Sequence, residues 1–312
     1  MSEQPQLHWS EGDTPHIAAW RSENGQLPPR RVLVADDTMT ADTAWRLACE
    51  GTALLWRGDY HNARQLLQAM ARRADRRPKK AAGKAADKAR PLAESFHLHR
   101  MAQAQRARTL GMLLIPVEAG GRIALRRAPE VREALAEAFG DEHAALLQAP
   151  FVLALRELLG LIGAHEWRRK GVMVPALGDR IHPWYGVFSP IRGEYLDLVA
   201  RVPLPAKTLA FDIGTGTGVI AALLARRGVQ RVVATDLSPR AHGCARGNLA
   251  RLGLSAQVEV AEADLFPAGR APLVVCNPPW VPAKPTSAVE HAVYDPGSRM
   301  LRGFLQGLAA HL

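Results

Sequence analysis

The hydrophobic and polar positions of the first 180 residues mainly predict helices. In residues 40–73 apolar side chains recur at helical spacing on both sides of the polar stretch at 57–60, which predicts two helices joined as a hairpin. Further helices are predicted at 92–109, 129–139 and 142–168, with a short strand pair about Gly120 and Gly121. We therefore expect residues 1–180 to form a mainly helical N-terminal domain.

The pattern changes after a short predicted strand pair at 171–188. From about residue 206, apolar runs alternate with helical stretches, and the runs are TLAFDI, RVVATD, QVEVAEAD and PLVVCN. Strands that alternate with helices form parallel sheets covered by helices on their faces. Residues 181–312 are thus predicted to be an α/β domain with a Rossmann-like sheet.

Charge is concentrated in one short segment of the chain. The net charge is +10, and residues 71–90 hold nine Lys or Arg and two Asp, which leaves only +3 for the rest. Such a loop can bind RNA phosphates by releasing counterions. It can equally be a solvated surface loop, and both interpretations stay open.

Targeting signals and metal-ligand spacings are not found in the sequence. The N-terminus has no basic start followed by an apolar stretch, and the most apolar segment, 149–164, contains Arg156 and Glu157. The three cysteines show no metal-binding or disulfide spacing. We expect a cytoplasmic protein that uses no metal and does not contact a membrane.

A glycine-rich turn, FDIGTGTGV, follows the first strand of the α/β domain. Gly214, Gly216 and Gly218 permit a tight turn and close approach of a ligand, but Val219 breaks the dinucleotide fingerprint G-x-G-x-x-G. A carboxylate at Asp212 repels a pyrophosphate and suits a cationic amine.

Two more carboxylates follow the next strands of the series. Asp236 ends the second strand and can accept hydrogen bonds from ribose hydroxyls. Asp264 ends the third strand and can accept from an exocyclic amine, with Leu265 beside a flat base. Together with the glycine turn, these positions predict a nucleoside site.

These motifs resemble those of class I S-adenosylmethionine-dependent methyltransferases of the Asn-Pro-Pro-aromatic type, the "methyltransferase small domain". FDIGTGTG, TDLS, EADLF and NPPW are similar to their first four motifs, over about residues 185–312. The resemblance implies S-adenosylmethionine as cofactor. It assigns cofactor binding to the residues of the first three motifs: Asp212, Gly214, Thr215, Gly216, Gly218, Asp236, Leu237, Asp264 and Leu265.

The NPPW corner, Asn277, Pro278, Pro279 and Trp280, is the predicted catalytic site. The side-chain carbonyl of Asn277 and the backbone carbonyl of Pro278 can accept hydrogen bonds from an amide or base amine and so aim its lone pair. The prolines fix φ, and Trp280 offers a face for stacking. This corner is similar to that of rRNA guanine-N2 and release-factor glutamine methyltransferases.

The sequence therefore predicts an N-methyltransferase of a macromolecule, with an rRNA base favoured and the glutamine of a translation protein as the alternative. A full class I sheet has seven strands, whereas only one helix is predicted after the fourth strand. We therefore expect a sheet truncated on its C-terminal side. That expectation keeps a second class open, a non-catalytic scaffold with a methyltransferase-like half domain.

Overall fold

The computed structural model describes residues 5–75, 92–140, 148–190, 193–285, 290 and 292–312. The chain forms two compact units, Met1–Ile162 and Gly163–Leu312. Most of the basic segment 71–90 lies outside the described residues. Residues 163–180, predicted with the N-terminal domain, group with the second unit, since Val174 and Leu177 are buried in its core.

The first unit is built around a six-stranded mixed sheet in the order β1-β2-β6-β5-β4-β3. Its strands are β1 Gln6–Glu11, β2 Thr14–Trp20, β3 Arg31–Ala35, β4 Thr52–Trp56, β5 Leu113–Val117 and β6 Phe151–Ala154. Its helices are α1 Ala41–Cys49, α2 Tyr60–Ala74, α3 Leu92–Leu110 and α4 Arg132–Phe139, and α5 Leu155–Lys170 contains the unit boundary. Strands β3, β4 and β5 are parallel.

The expectation of a mainly helical N-terminal domain is wrong, because this sheet forms its centre. The predicted helical hairpin is interrupted by β4. Of the helix predicted at 142–168, residues 142–147 lie outside the described residues, 151–154 form strand β6, and α5 begins at Leu155. Both strands are short, almost wholly buried apolar runs. Periodicity cannot distinguish such a run from part of a buried helix. About Gly120 and Gly121 only β5 and an isolated bridge form, between Glu118 and Arg122.

The second unit contains the predicted Rossmann-like sheet, which confirms the α/β fold class. Its four parallel strands have the order β11-β10-β9-β12. They are β9 Leu209–Ile213, β10 Arg231–Asp236, β11 Val258–Glu262 and β12 Val274–Cys276, preceded by the hairpin of β7 Val172–Val174 and β8 Asp179–Ile181. The helices are α6 Glu194–Arg201, α7 Val219–Arg226, α8 Pro239–Arg251 and α9 Arg299–His311.

Helices cover both faces of this sheet. Alternate strand residues such as Ala210 and Val232 pack with α7, which is buried along nearly its whole length. The intervening residues, including Phe211 and Val233, pack with Met300 and Phe304 of α9. The sheet, packed on both faces, therefore brings the carboxyl ends of its parallel strands together on one side, where ligands bind in folds of this kind.

Among the described residues, no helix combines the length and the apolar character that a bilayer crossing requires.

Candidate active site

The glycine turn joins β9 to α7 and leaves its backbone open. Gly214, Gly216 and Gly218 all have positive φ, at 73°, 54° and 80°. A Cβ on Gly218 would lie 3.2 Å from Ala245 of α8, whereas one on Gly216 would meet no atom within 4 Å. Gly218 is thus needed for helix packing, while Gly216 lies where a ligand can approach the backbone.

Asp212 lies at the base of this turn and is completely buried. Its Oδ2 accepts hydrogen bonds from the Thr215 hydroxyl, at 2.6 Å, and from the backbone N–H of Ala221, at 3.0 Å. Its Oδ1 is buried without a partner among the described residues. Burial raises the pKa of Asp212 to about 6. A buried acceptor with an unused oxygen is costly unless a ligand or water completes it.

Asp236 joins the end of β10 to the glycine turn. Its Oδ2 accepts from the Gly216 N–H at 3.0 Å, and its Oδ1 accepts from the Ser238 N–H at 2.9 Å. Each oxygen keeps lone-pair capacity for a further donor. The adjacent Leu237 side chain is exposed beside it. Two of the predicted carboxylates therefore meet at the turn.

Asp264 is held differently. It follows β11, and its carboxylate is paired with the guanidinium of Arg299, the first residue of α9, with Nη1 3.0 Å from Oδ2. Leu265 adopts a positive φ of 77°, and its carbonyl accepts from the Thr235 hydroxyl at 2.6 Å. The sequence did not indicate Arg299, since it lies 35 positions after Asp264.

The NPPW corner begins directly after β12. Cys276, the last residue of that strand, pairs with Ile213, which immediately precedes Gly214. Asn277 is exposed, Pro279 is buried, and Trp280 is 74% exposed. Within the described part of the chain, no hydrogen bond holds the Asn277 side chain.

Residues 293–295 hold the far side of this corner. The N–H groups of Trp280 and Val281 donate to the Val293 carbonyl, at 3.2 and 3.0 Å, and the Asp295 N–H donates to the Val281 carbonyl at 2.8 Å. Asp295 is buried, and its Oδ2 accepts from the N–H groups of Met300 and Leu301. The residues just before α9 therefore link this helix to the corner. The Asp-Pro pair that Asp295 forms with the next residue, just before a helical pattern, was the sequence feature that could have indicated this helix start.

Asn248 is a second residue that the sequence analysis missed. It is buried on α8, accepts from the His182 N–H at 2.7 Å and donates to the Thr217 carbonyl at 2.9 Å. It thereby fixes the segment after β8 against the glycine turn. The sequence feature that could have indicated Asn248 was an amide on the apolar face of a predicted helix, because a buried amide needs hydrogen-bond partners.

The buried groups near Asp212 stay protonated at neutral pH. Burial raises the pKa of Tyr195 to about 12 and that of Cys276 to about 12, and the negative charge of Asp212 adds to both shifts. Cys276 is therefore a packing residue and not a thiolate nucleophile.

Residues 186–303 match the model of the family described as "Methyltransferase small domain". This match confirms the resemblance to S-adenosylmethionine-dependent methyltransferases that the motifs indicated.

Curated relatives are similar to parts of the chain. A release factor glutamine methyltransferase of Cereibacter sphaeroides is 38% identical over 115 residues, which are 32% of this chain and 41% of that protein. A tRNA1(Val) (adenine(37)-N6)-methyltransferase of Porphyromonas gingivalis is 40% identical over 78 residues, 22% of this chain and 31% of that protein. The chain thus spans less than half the length of either relative.

Among solved structures, a SAM-dependent methyltransferase from Thiobacillus denitrificans in complex with S-adenosyl-L-homocysteine matches with 24% identity and a TM-score of 0.25. The match covers 28% of this chain and 36% of that one.

Proposed function

We propose that this protein is an S-adenosylmethionine-dependent N-methyltransferase that acts on an amide or amino nitrogen of a macromolecule. The main support is the β9–β12 register, which sets Asn277 one residue beyond the Cys276–Ile213 pair and hence beside the glycine turn. A target nitrogen held at the corner would then lie close to a ligand held by the turn.

The site's own groups fit the cofactor. Oδ1 of Asp212, which has no hydrogen-bond partner among the described residues, suits a cationic methionyl amine, and the open backbone at Gly216 suits close contact. Asp236 would accept from ribose hydroxyls beside Leu237, while Asp264 and Leu265 would bind the adenine. Gly214, Thr215 and Gly218 keep the turn in shape. When bound, the cofactor supplies a methyl group on a sulfonium, which needs no further activation.

The corner would prepare the nucleophile. The Asn277 side-chain carbonyl and the Pro278 backbone carbonyl accept the N–H groups of the target, and Pro279 keeps that direction fixed. Trp280 stacks on the planar group. The nitrogen lone pair would take up the methyl group that the cofactor supplies, the cofactor would leave as a neutral thioether, and the nitrogen's proton would pass to water.

An rRNA base is the substrate class that we favour, recognised in the cytoplasm through the first unit, Met1–Ile162. The support is the basic segment 71–90, whose charge complements RNA.

A translation-protein glutamine is the second candidate. It is favoured by the similarity to a release factor glutamine methyltransferase, and by YDPGS at 294–298, which resembles a segment over the target in such enzymes.

Methyl transfer from labelled S-adenosylmethionine into the RNA or the protein of a cell lysate tests the proposal. We expect Asn277→Ala to lower transfer at least a hundredfold while binding of S-adenosylhomocysteine, measured by calorimetry, stays unchanged. Asn24→Ala, which removes another exposed asparagine, is the control and should keep full activity.

The same measurements distinguish the proposed methyltransferase from the rival function, a non-catalytic scaffold. If the protein binds S-adenosylhomocysteine and Asp236→Ala abolishes that binding, the scaffold interpretation is contradicted. Undiminished transfer by Asn277→Ala would refute the role given to the corner.

A further inference from the structure

The pairing of Arg299 with Asp264 gives an arginine a place in the site that the motifs do not assign. Three donor–acceptor contacts join the two groups: Nη1 to Oδ2 at 3.0 Å, Nη2 to Oδ1 at 3.3 Å and Nη1 to Oδ1 at 3.4 Å. The guanidinium thus engages both carboxylate oxygens at once, the geometry that fixes the plane of a carboxylate.

The backbone of Arg299 is held by contacts on both sides. Asp295 caps the first turn of α9 through the N–H groups of Met300 and Leu301. One turn further on, Gly303 lies so close to Leu265 that a Cβ on it would be 2.7 Å from Leu265 Cδ1. The start of α9 is therefore fixed next to Leu265, which directly follows Asp264 in the chain.

We propose that Arg299 is the positioning residue of the adenine subsite. It orients the Asp264 carboxylate so that the remaining acceptor site, on Oδ2, faces the exocyclic amine of the base. The inference rests on the proposed function, which gives Asp264 its part in cofactor binding. Each carboxylate oxygen has about two acceptor sites, so the arginine contacts leave capacity for a further donor.

The solvent exposure of the Arg299–Asp264 pair determines whether it contributes to folding stability or to ligand affinity. The side chains of Arg299 and Asp264 are 62% and 53% exposed, and ion pairs exposed to this degree contribute little to folding stability. Without the arginine, the Asp264 side chain would sample several rotamers, and binding the base would require it to be ordered again. The loss should therefore appear in ligand affinity and not in stability.

The position of α9 extends this role to the target site. The Asp295 residue that caps the helix also donates its N–H to Val281, directly after Trp280. Cofactor bound to Asp264 would thus be linked, through Arg299 and the start of α9, to the segment that supports the corner, so occupancy of the adenine subsite should order the target site.

Calorimetry with two ligands tests the inference on the full chain. One ligand is S-adenosylhomocysteine, and the other is its analogue in which hydrogen replaces the adenine amine. We expect Arg299→Ala to weaken binding of the first about fivefold and to leave the second nearly unchanged, because only the first uses Asp264. Arg299→Lys should restore part of the loss. Arg302→Ala, an exposed arginine on the same helix, should affect neither ligand.

A double variant distinguishes action through Asp264 from a general disturbance. Asp264→Asn combined with Arg299→Ala should bind no more weakly than Asp264→Asn alone. Equal losses for both ligands, or S-adenosylhomocysteine affinity unchanged in Arg299→Ala, would overturn the inference while leaving the proposed function intact. Failure of the wild-type protein to bind either ligand would instead overturn the proposed function and this role with it.

Discussion

At the scale of single residues, the two carboxylate oxygens of Asp212 differ in their hydrogen bonding. Oδ2 has two hydrogen-bond donors, whereas Oδ1 is buried without a partner among the described residues. Burial raises the pKa of Asp212 to about 6, above its value of 3.8 in a model peptide. Between about pH 4 and pH 6 the native state therefore holds more protons than the unfolded chain, so this group makes folding less favourable as pH rises through that range.

Ligand binding should show the opposite dependence on pH. If Oδ1 accepts the cationic amine of the cofactor, only ionised Asp212 binds it well, and at pH 5 about a tenth of the molecules carry that charge. We expect the affinity for S-adenosylhomocysteine to rise roughly tenfold between pH 5 and pH 7. Calorimetry across this range measures it, and Asp212→Asn should bind weakly with a flat profile. A steep profile that persists in Asp212→Asn would assign the titration to another group.

At the scale of elements, the glycine turn includes a position, Gly218, where both the backbone conformation and the packing disfavour a side chain. Gly218 has a φ of 80° at the start of α7, and a Cβ there would lie 3.2 Å from Ala245. We expect Gly218→Ala to lower the free energy of unfolding by about 2 kcal/mol, from the left-handed backbone and the close contact together. The midpoint of urea unfolding measures this.

Gly247→Ala is the matched control for that substitution. Gly247 lies inside α8 at an ordinary φ, and a Cβ there would meet nothing within 4 Å. The change should raise the free energy of unfolding by about 0.5–1 kcal/mol, because alanine favours a helix over glycine. If both variants were equally destabilised, the special role of Gly218 would be wrong.

The elements also show what the sequence could predict. Helices separate β9 from β10 and β10 from β11, and an acidic residue lies at or next to the end of each of these three strands, so both the parallel sheet and the edge that carries Asp212 and Asp236 were predictable. In the first unit β6 adjoins α5 directly and only two or three residues separate β4 from α1 and α2, so their apolar runs merged with helical patterns. The Arg299–Asp264 pair depends on how α9 packs against Leu265 and Phe266, after β11, which no local pattern encodes.

At the scale of the whole molecule, charge is the feature that separates the two candidate substrates. Residues 71–90 carry +7 of the net +10, so neutralising them removes most of the long-range attraction to a polyanion. A protein substrate has no dense phosphate backbone, and its binding would depend far less on salt. The salt dependence of binding therefore reports the substrate class.

Replacing Lys79, Lys80, Lys84 and Lys88 by glutamine should weaken binding of rRNA and make its salt dependence less steep. Each lysine that contacts a phosphate contributes about one unit to the slope of log affinity against log salt, so the slope should fall by up to about four. Fluorescence titration between about 50 and 200 mM KCl measures it. The control neutralises four exposed cations elsewhere, Arg30, Lys207, Arg251 and Arg302, and should lower the slope much less. If the first variant keeps the wild-type slope, or if rRNA does not bind, the balance shifts to glutamine of a translation protein, since the basic segment was the observation that favoured RNA.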